Sequence, residues 1–214
     1  MPTVFLLSPA YCGGRRAQSM LRPGATLDIA KRLQSGTLTL GDAFSFCSGL
    51  YFRGKITYAR AFAPHATFVI TPTRGLQAPD TIVTSDLIRE FASVDISEDD
   101  ARYRSPLERD LQQLVARLDD ERDARVVLLG SVATGKYVDV LVQRLGARLH
   151  FPPSFIGRGD MSRGGLLLRH AASGVELDYV PLESHTKRHG PRPPKLDPRT
   201  RVPVVRHSHL PARG

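Results

Sequence analysis

The chain has 214 residues, 41% of them apolar, which is enough for one well-buried core and too little for several domains. It carries a net charge of +9 and only two cysteines, Cys12 and Cys47, neither with metal-ligand spacing around it. No run approaches the roughly 20 apolar residues of a membrane span, and the first segment lacks the basic flank of a secretory signal, so a membrane protein, a disulfide scaffold and a zinc domain are excluded and a cytoplasmic protein without metal or other cofactor is expected.

Residues 3–7 form a short apolar run closed by Ser8 and Pro9, a first strand. Gly13 and Gly14 then break the chain before a helical stretch over 15–21, which Pro23 and Gly24 end. Leu27, Ala30 and Leu33 share one side of a helical pattern over 25–33. Residues 41–63 read as one or two helices, with breaks available at Ser48-Gly49 and Arg53-Gly54; Cys47, close to Phe44 and Phe46, reads as a buried structural thiol. TFVIT at 67–71 is a second strand, left through Pro72, Thr73, Arg74 and Gly75, and a short helix is expected over 86–91.

Over 106–118, Leu107, Leu111, Leu114 and Leu118 line one helical face, with Ser105 as N-cap and Pro106 as the first helical position. A third strand at 126–129 leads through a glycine turn into a helix over 132–145, and 148–151 is a further candidate strand. Residues 165–171 and 175–180, joined by Ser173-Gly174, read as a hairpin. Prolines, basic residues and four histidines leave almost nothing to bury after 184, so 185–214 reads as a basic, proline-rich extended tail on a domain of residues 1–184.

Strands alternating with helices predict a three-layer α/β/α domain with a mostly parallel central sheet and a C-terminal β-hairpin. In such sheets ligands sit beyond the carboxyl ends of the strands. The exit segments 8–14, 71–75, 130–136 and 155–165 all hold small, polar or basic residues. Charge is polarised as well: residues 1–74 sum to +7, 75–123 to −7, 124–184 to +2 and the tail to +7. Basic ends of this kind attract polyanions, and the expected partner is nucleic acid, DNA ahead of RNA, or a nucleotide.

Two loops carry the sharper signals. Residues 130–136, GSVATGK, fit the first seven positions of a phosphate-cradling loop, but the eighth, which should be Ser or Thr to hold magnesium, is Tyr137. Gly130, Ser131 and Lys136 are then candidates for phosphate contact without metal chemistry, against the plain alternative of a strand-to-helix connection with a solvated lysine. Residues 157–165, GRGDMSRGG, place Asp160 between Arg158 and Arg163 with Ser162 alongside. The arginines suit phosphates and Asp160 is the candidate catalytic group, able to polarise water; the alternative is a surface turn in which Asp160 pairs with an arginine. Ser8, Cys12, Arg15 and Arg16 in the first exit segment, and Thr71 and Arg74 in the second, complete the set of candidate binding residues.

GLYFRGKITYARAF at 49–62 and ATFVITPTRGLQAPDTIV at 66–83 resemble a helix and strand signature of small bacterial and phage domains. Those domains are similar to the uracil-DNA-glycosylase-like module of archaeosine and tRNA-guanine transglycosylase enzymes. The resemblance implies that fold and a nucleobase pocket, and through it DNA base processing or repair by hydrolysis of an N-glycosidic bond. The chain has no Gly-Gln-Asp-Pro-Tyr water-activating motif and no His-Pro-Ser loop. An enzyme or sensor for a small phosphorylated nucleotide or metabolite, and a non-catalytic DNA-binding relative, are the competing expectations.

Overall fold

A computed structural model of the chain describes residues 2–97, 99–119, 123–133 and 135–196. The strands are β1 (Thr3–Leu7), β2 (Thr67–Ile70), β3 (Leu76–Gln77), β4 (Arg125–Leu129), β5 (Leu149–Phe151) and β6 (Val180–Pro181). They make one sheet in the order β3-β2-β1-β4-β5-β6. The inner strands β2, β1, β4 and β5 run parallel, and each edge strand is antiparallel to its neighbour. The protein is therefore an α/β fold with a mostly parallel sheet. No helix among the described residues is long and apolar enough to cross a membrane.

Both faces of the sheet are buried, which is why its strands read as continuous apolar runs rather than alternating ones. Phe5, Leu7, Val69, Val127 and Leu129 face one core, while Val4, Leu6, Ile70, Val126 and Leu128 face the other. The first core is covered by α1 (Arg15–Leu21), α2 (Asp28–Gln34), α3 (Leu40–Ser48), α4 (Leu50–Phe62), α5 (Ser85–Ala92) and α8 (Asp160–Ser173). The second is covered by α6 (Ala101–Leu118) and α7 (Gly135–Leu145). Phe44 anchors the first core edge-on to Phe52 and Phe91, with ring centroids 5.4 and 5.9 Å away.

Local chemistry sets most boundaries. Thr39 and Thr84 cap α3 and α5 by accepting from the amides of Asp42 and Leu87. Gly49, at φ 68°, separates α3 from α4. The chain does not break at Gly54, which lies inside α4 against α8.

Two expectations are corrected. Residues 165–171 are not a strand of a hairpin but part of α8: Arg163, Gly164, Leu166 and Leu167 recur at helical spacing and are buried together, and Gly174 closes the helix in the left-handed conformation. The C-terminal antiparallel pair is instead β5 with β6, brought together across α8. Helix α6 starts at Ala101 rather than Pro106, capped by the Asp100 side chain on the amide of Arg102, because the extra turn buries Tyr103.

The described part of the tail follows the domain surface in extended form. Arg188 pairs with Asp139 at 2.8 Å, Pro191 lies against Gly157, and Leu196 packs on the first core. Residues 197–214 lie outside the described residues.

Candidate functional site

The sheet order fixes where a cleft can form. After β1 the chain moves to β2 on one side, and it later crosses to β4 on the other, so the loops leaving β1 and β4 diverge. Ligand sites of open α/β sheets sit at this reversal of strand order. The protein has there a cleft of about 840 Å³, lined from the exits of β1, β2 and β4 and from the starts of α1, α7 and α8. That lies within the ~300–1,000 Å³ range of small-molecule sites.

The rim carries three cations and, just past α5, the exposed carboxylate of Asp95. Arg15 and Arg16, opening α1, and Lys136, at the start of α7, are exposed and line the cleft. Arg15 and Lys136 have no ion pair among the described residues, and Arg16 bonds only weakly back to the Phe46 carbonyl at 3.4 Å. Tyr11 stands on the same rim, 72% exposed. Its ring lies over Gly13, where a Cβ would sit 2.5 Å from the hydroxyl, so that glycine makes room for the ring.

Tyr51, Tyr137 and Ser8 line the floor. Behind them lies Lys55, fully buried, its Nζ donating to the Ser8 carbonyl at 2.6 Å and 2.9 Å from Ser8 Oγ. The ring faces of Tyr51 and Phe52 each lie 4.6 Å from the ammonium position. Burial pulls Lys55 down to about 7, against the opposing pull of Asp160. Burial likewise pushes the Tyr51 and Tyr137 phenols up, so both stay protonated. Tyr137 donates to the Ser131 carbonyl at 2.8 Å, whereas the Tyr51 hydroxyl has no partner in hydrogen-bond geometry among the described residues.

Asp160 forms one wall. It opens α8 with its side chain 68% exposed, and it is steadied by Arg163 at 3.3 Å. Arg163 itself is buried, bonded to the Phe155 carbonyl, so it positions Asp160 and does not project into the cleft. One close helix crossing brings these groups together. A Cβ at Gly54 would lie 2.7 Å from the Gly164 carbonyl oxygen, and one at Gly164 would lie 2.6 Å from that of Leu50. Lys55 and Arg163 are the chain neighbours of those two glycines.

Ser8, Cys12, Arg15, Arg16, Ser131, Lys136 and Asp160, far apart in sequence, thus share the cleft. The rest have other places. Gly130 is a spacer: a Cβ there would fall 2.8 Å from that of Ser8 and 3.0 Å from the Tyr137 hydroxyl. Thr71 closes a turn with the Gly75 carbonyl and the Arg74 amide. Arg74 pairs with Glu90 at 2.6 Å, and Glu90, also bonded by Thr73, is held below the usual carboxylate range by Arg74. Arg158 ties the Ser154 carbonyl to Ser162 Oγ and reaches the tail at Pro194, so both Arg158 and Ser162 serve the loop ahead of α8. The free Cys12 thiol donates to the Ala10 carbonyl at 3.7 Å, and its hydrogen bond with Cys47 and burial push it up, towards the protonated form. Cys47 is half-buried and lines the cleft beside Arg16, rather than being a wholly interior thiol.

Lys55, Tyr51, Tyr137 and Tyr11 are the site residues that sequence reasoning missed. A signal existed for Lys55: Tyr51, Phe52, Lys55, Tyr58 and Ala59 recur at helical spacing, putting a lysine in the middle of an apolar stripe. No protein-family model, curated protein or solved structure matches the chain, so the site stands on its own geometry.

Proposed function

We propose that the cleft binds a nucleotide unit of a nucleic acid and hydrolyses its N-glycosidic bond. The observation that carries this reading is the joint placement of Arg15, Arg16 and Lys136 on the rim and Asp160 on the wall of one 840 Å³ cleft. The cations suit the phosphate backbone, where they set affinity without reading sequence. The exposed ring of Tyr11 offers a stacking surface for a base, a contact worth about 1–3 kcal/mol per base. A base held beyond that ring enters a floor made of Tyr51, Tyr137 and Ser8, and it must leave its stack to do so.

As the bond to the base breaks, positive charge grows on the sugar. A fixed carboxylate beside that carbon stabilises the charge and draws a proton from the attacking water. Of the two exposed carboxylates that line the cleft, Asp95 and Asp160, it is Asp160 that an arginine holds in orientation. The test is base release from single-stranded and double-stranded oligonucleotides, followed by chromatography. Asp160→Asn is expected to keep oligonucleotide affinity and to lose release by about 100-fold or more, the usual scale for one acid–base group. Release that survives in Asp160→Asn would remove the hydrolytic role, and binding of a free mononucleotide but of no oligonucleotide would move the reading to a small phosphorylated ligand.

A further inference from the structure

Lys55 has no role in the hydrolysis proposed above and Ser8 only lines the floor for the base, yet the two form a buried, directly bonded polar pair. Lys55 Nζ meets two oxygens, both of Ser8, and otherwise the faces of Tyr51 and Phe52. No carboxylate pairs with it among the described residues; the charged groups that face it are Asp160 and Arg163 of α8, which act in opposite senses. Tyr51 on its own helix and Tyr137 on α7 flank the site as neutral phenols. An ammonium would bring three donors to these oxygens, whereas a neutral amine gives one N–H to the Ser8 carbonyl and its lone pair to the Ser8 hydroxyl. The low basicity imposed by burial populates that neutral amine near pH 7. Ser8, on the other side, lines the cleft.

We propose that Ser8 and Lys55 are a nucleophile–base pair, and that the cleft carries out acyl transfer from esters bearing an anionic group. Ser8 Oγ bonds to the acyl carbon as its proton passes to Lys55 Nζ. The alcohol leaves with that proton, returned by Lys55. Water then attacks the acyl–Ser8 ester, giving its proton to Lys55, which restores it to Ser8 Oγ as the acid departs. Ester and water become acid and alcohol, with no other reactant. Arg15, Arg16 and Lys136 supply the affinity for an anionic substrate. A base oriented on a hydroxyl is the general requirement for a serine nucleophile, and lysine is one of the groups that meet it.

The test uses the whole chain and phenylmethylsulfonyl fluoride, read by intact mass and peptide mapping. One sulfonyl group is expected on Ser8, at a rate rising with pH through a midpoint of about 7. Labelling is expected to disappear in Ser8→Ala and to slow by about 100-fold in Lys55→Met. Turnover is read with the 4-nitrophenyl half-ester of glutaric acid, expected to outpace neutral 4-nitrophenyl butyrate and to stop in Ser8→Ala. Label elsewhere than Ser8, ester hydrolysis that persists in Ser8→Ala, or a wild-type labelling rate without an inflection near neutrality overturns the pair. The last result needs no variant to fold. None of these readouts involves a nucleotide, so the outcome is separate from that of the glycosidic reading.

Discussion

Lys55 sets the energetics at the residue scale because its charge is fully buried and has no ion pair among the described residues. Its depressed value, about 7 against 10.5, means that between those pH values the unfolded chain binds a proton the folded one does not. Stability therefore rises with pH across that window, and the cost of burying the group is fully present below about 7. The span corresponds to on the order of 5 kcal/mol. Thermal melting is expected to move upward between pH 7 and pH 10 in the wild type. The rise should be much smaller in Lys55→Met, which keeps the length and removes the charge. Equal pH slopes in the two proteins would contradict the buried lysine. The residue was legible as a polar intruder on an apolar helical stripe. Its partner was not, because Ser8 lies 47 positions earlier and meets it only through tertiary packing. Arg74 shows the reverse case: a strand-exit arginine looks available in sequence, and Glu90, brought in by α5, takes it.

The crossing of α4 and α8 decides at the element scale whether the site exists. Gly54 and Gly164 let the two backbones touch, and the residue after Gly54 is the lysine behind the floor while the one before Gly164 is the arginine that steadies Asp160. A methyl group at either position must separate the helices. Gly164→Ala is expected to cost about 1–3 kcal/mol, the usual range for overpacking a tight contact, and to weaken cleft chemistry further by shifting Lys55, the neighbour of Gly54, away from Ser8. Urea unfolding and the labelling rate of Ser8 measure the two effects; a variant as stable and as reactive as the wild type would show that the crossing has slack. The inner strands were readable because apolar runs such as TVFLL and RVVLL stop at turn residues. Helix α8 was not, because LLL after two glycines imitates a buried strand. The pattern that identifies it includes Arg163, an apolar-face position occupied by a charged residue. Tyr137 is a similar case: in the sequence it reads as a missing metal ligand, and in the fold it is a buried post bonded to Ser131.

Charge is sorted by place across the whole molecule. Several carboxylates of the acidic segment are paired where they lie, as in Arg102–Asp100, Arg104–Glu108 and Arg148–Asp119, all away from the cleft. Exposed pairs of this kind add little stability, about 0–1 kcal/mol each, but they take arginines out of competition. Among the described residues, Arg15, Arg16 and Lys136 line the cleft without an ion pair, as does the single carboxylate of Asp95. The described tail belongs to the body: ending the chain at 184 strips the Arg188–Asp139 pair and the Pro191 and Leu196 contacts, and is expected to lower the melting temperature by several degrees, as for a loss of about 1 kcal/mol or more in a domain of this size. An unchanged melting temperature would show that those contacts hold nothing. The most direct measurement of the cleft's role is the anisotropy of a labelled single-stranded oligonucleotide at two salt concentrations, with Arg15→Ala, Lys136→Ala and Arg74→Ala side by side. Each phosphate contact adds about 0.7 to the salt slope on a single strand. Affinity and slope are expected to fall for Arg15→Ala and Lys136→Ala and to stay at wild-type values for Arg74→Ala; binding that ignores salt, or that suffers equally from all three, would contradict the assignment of the cleft.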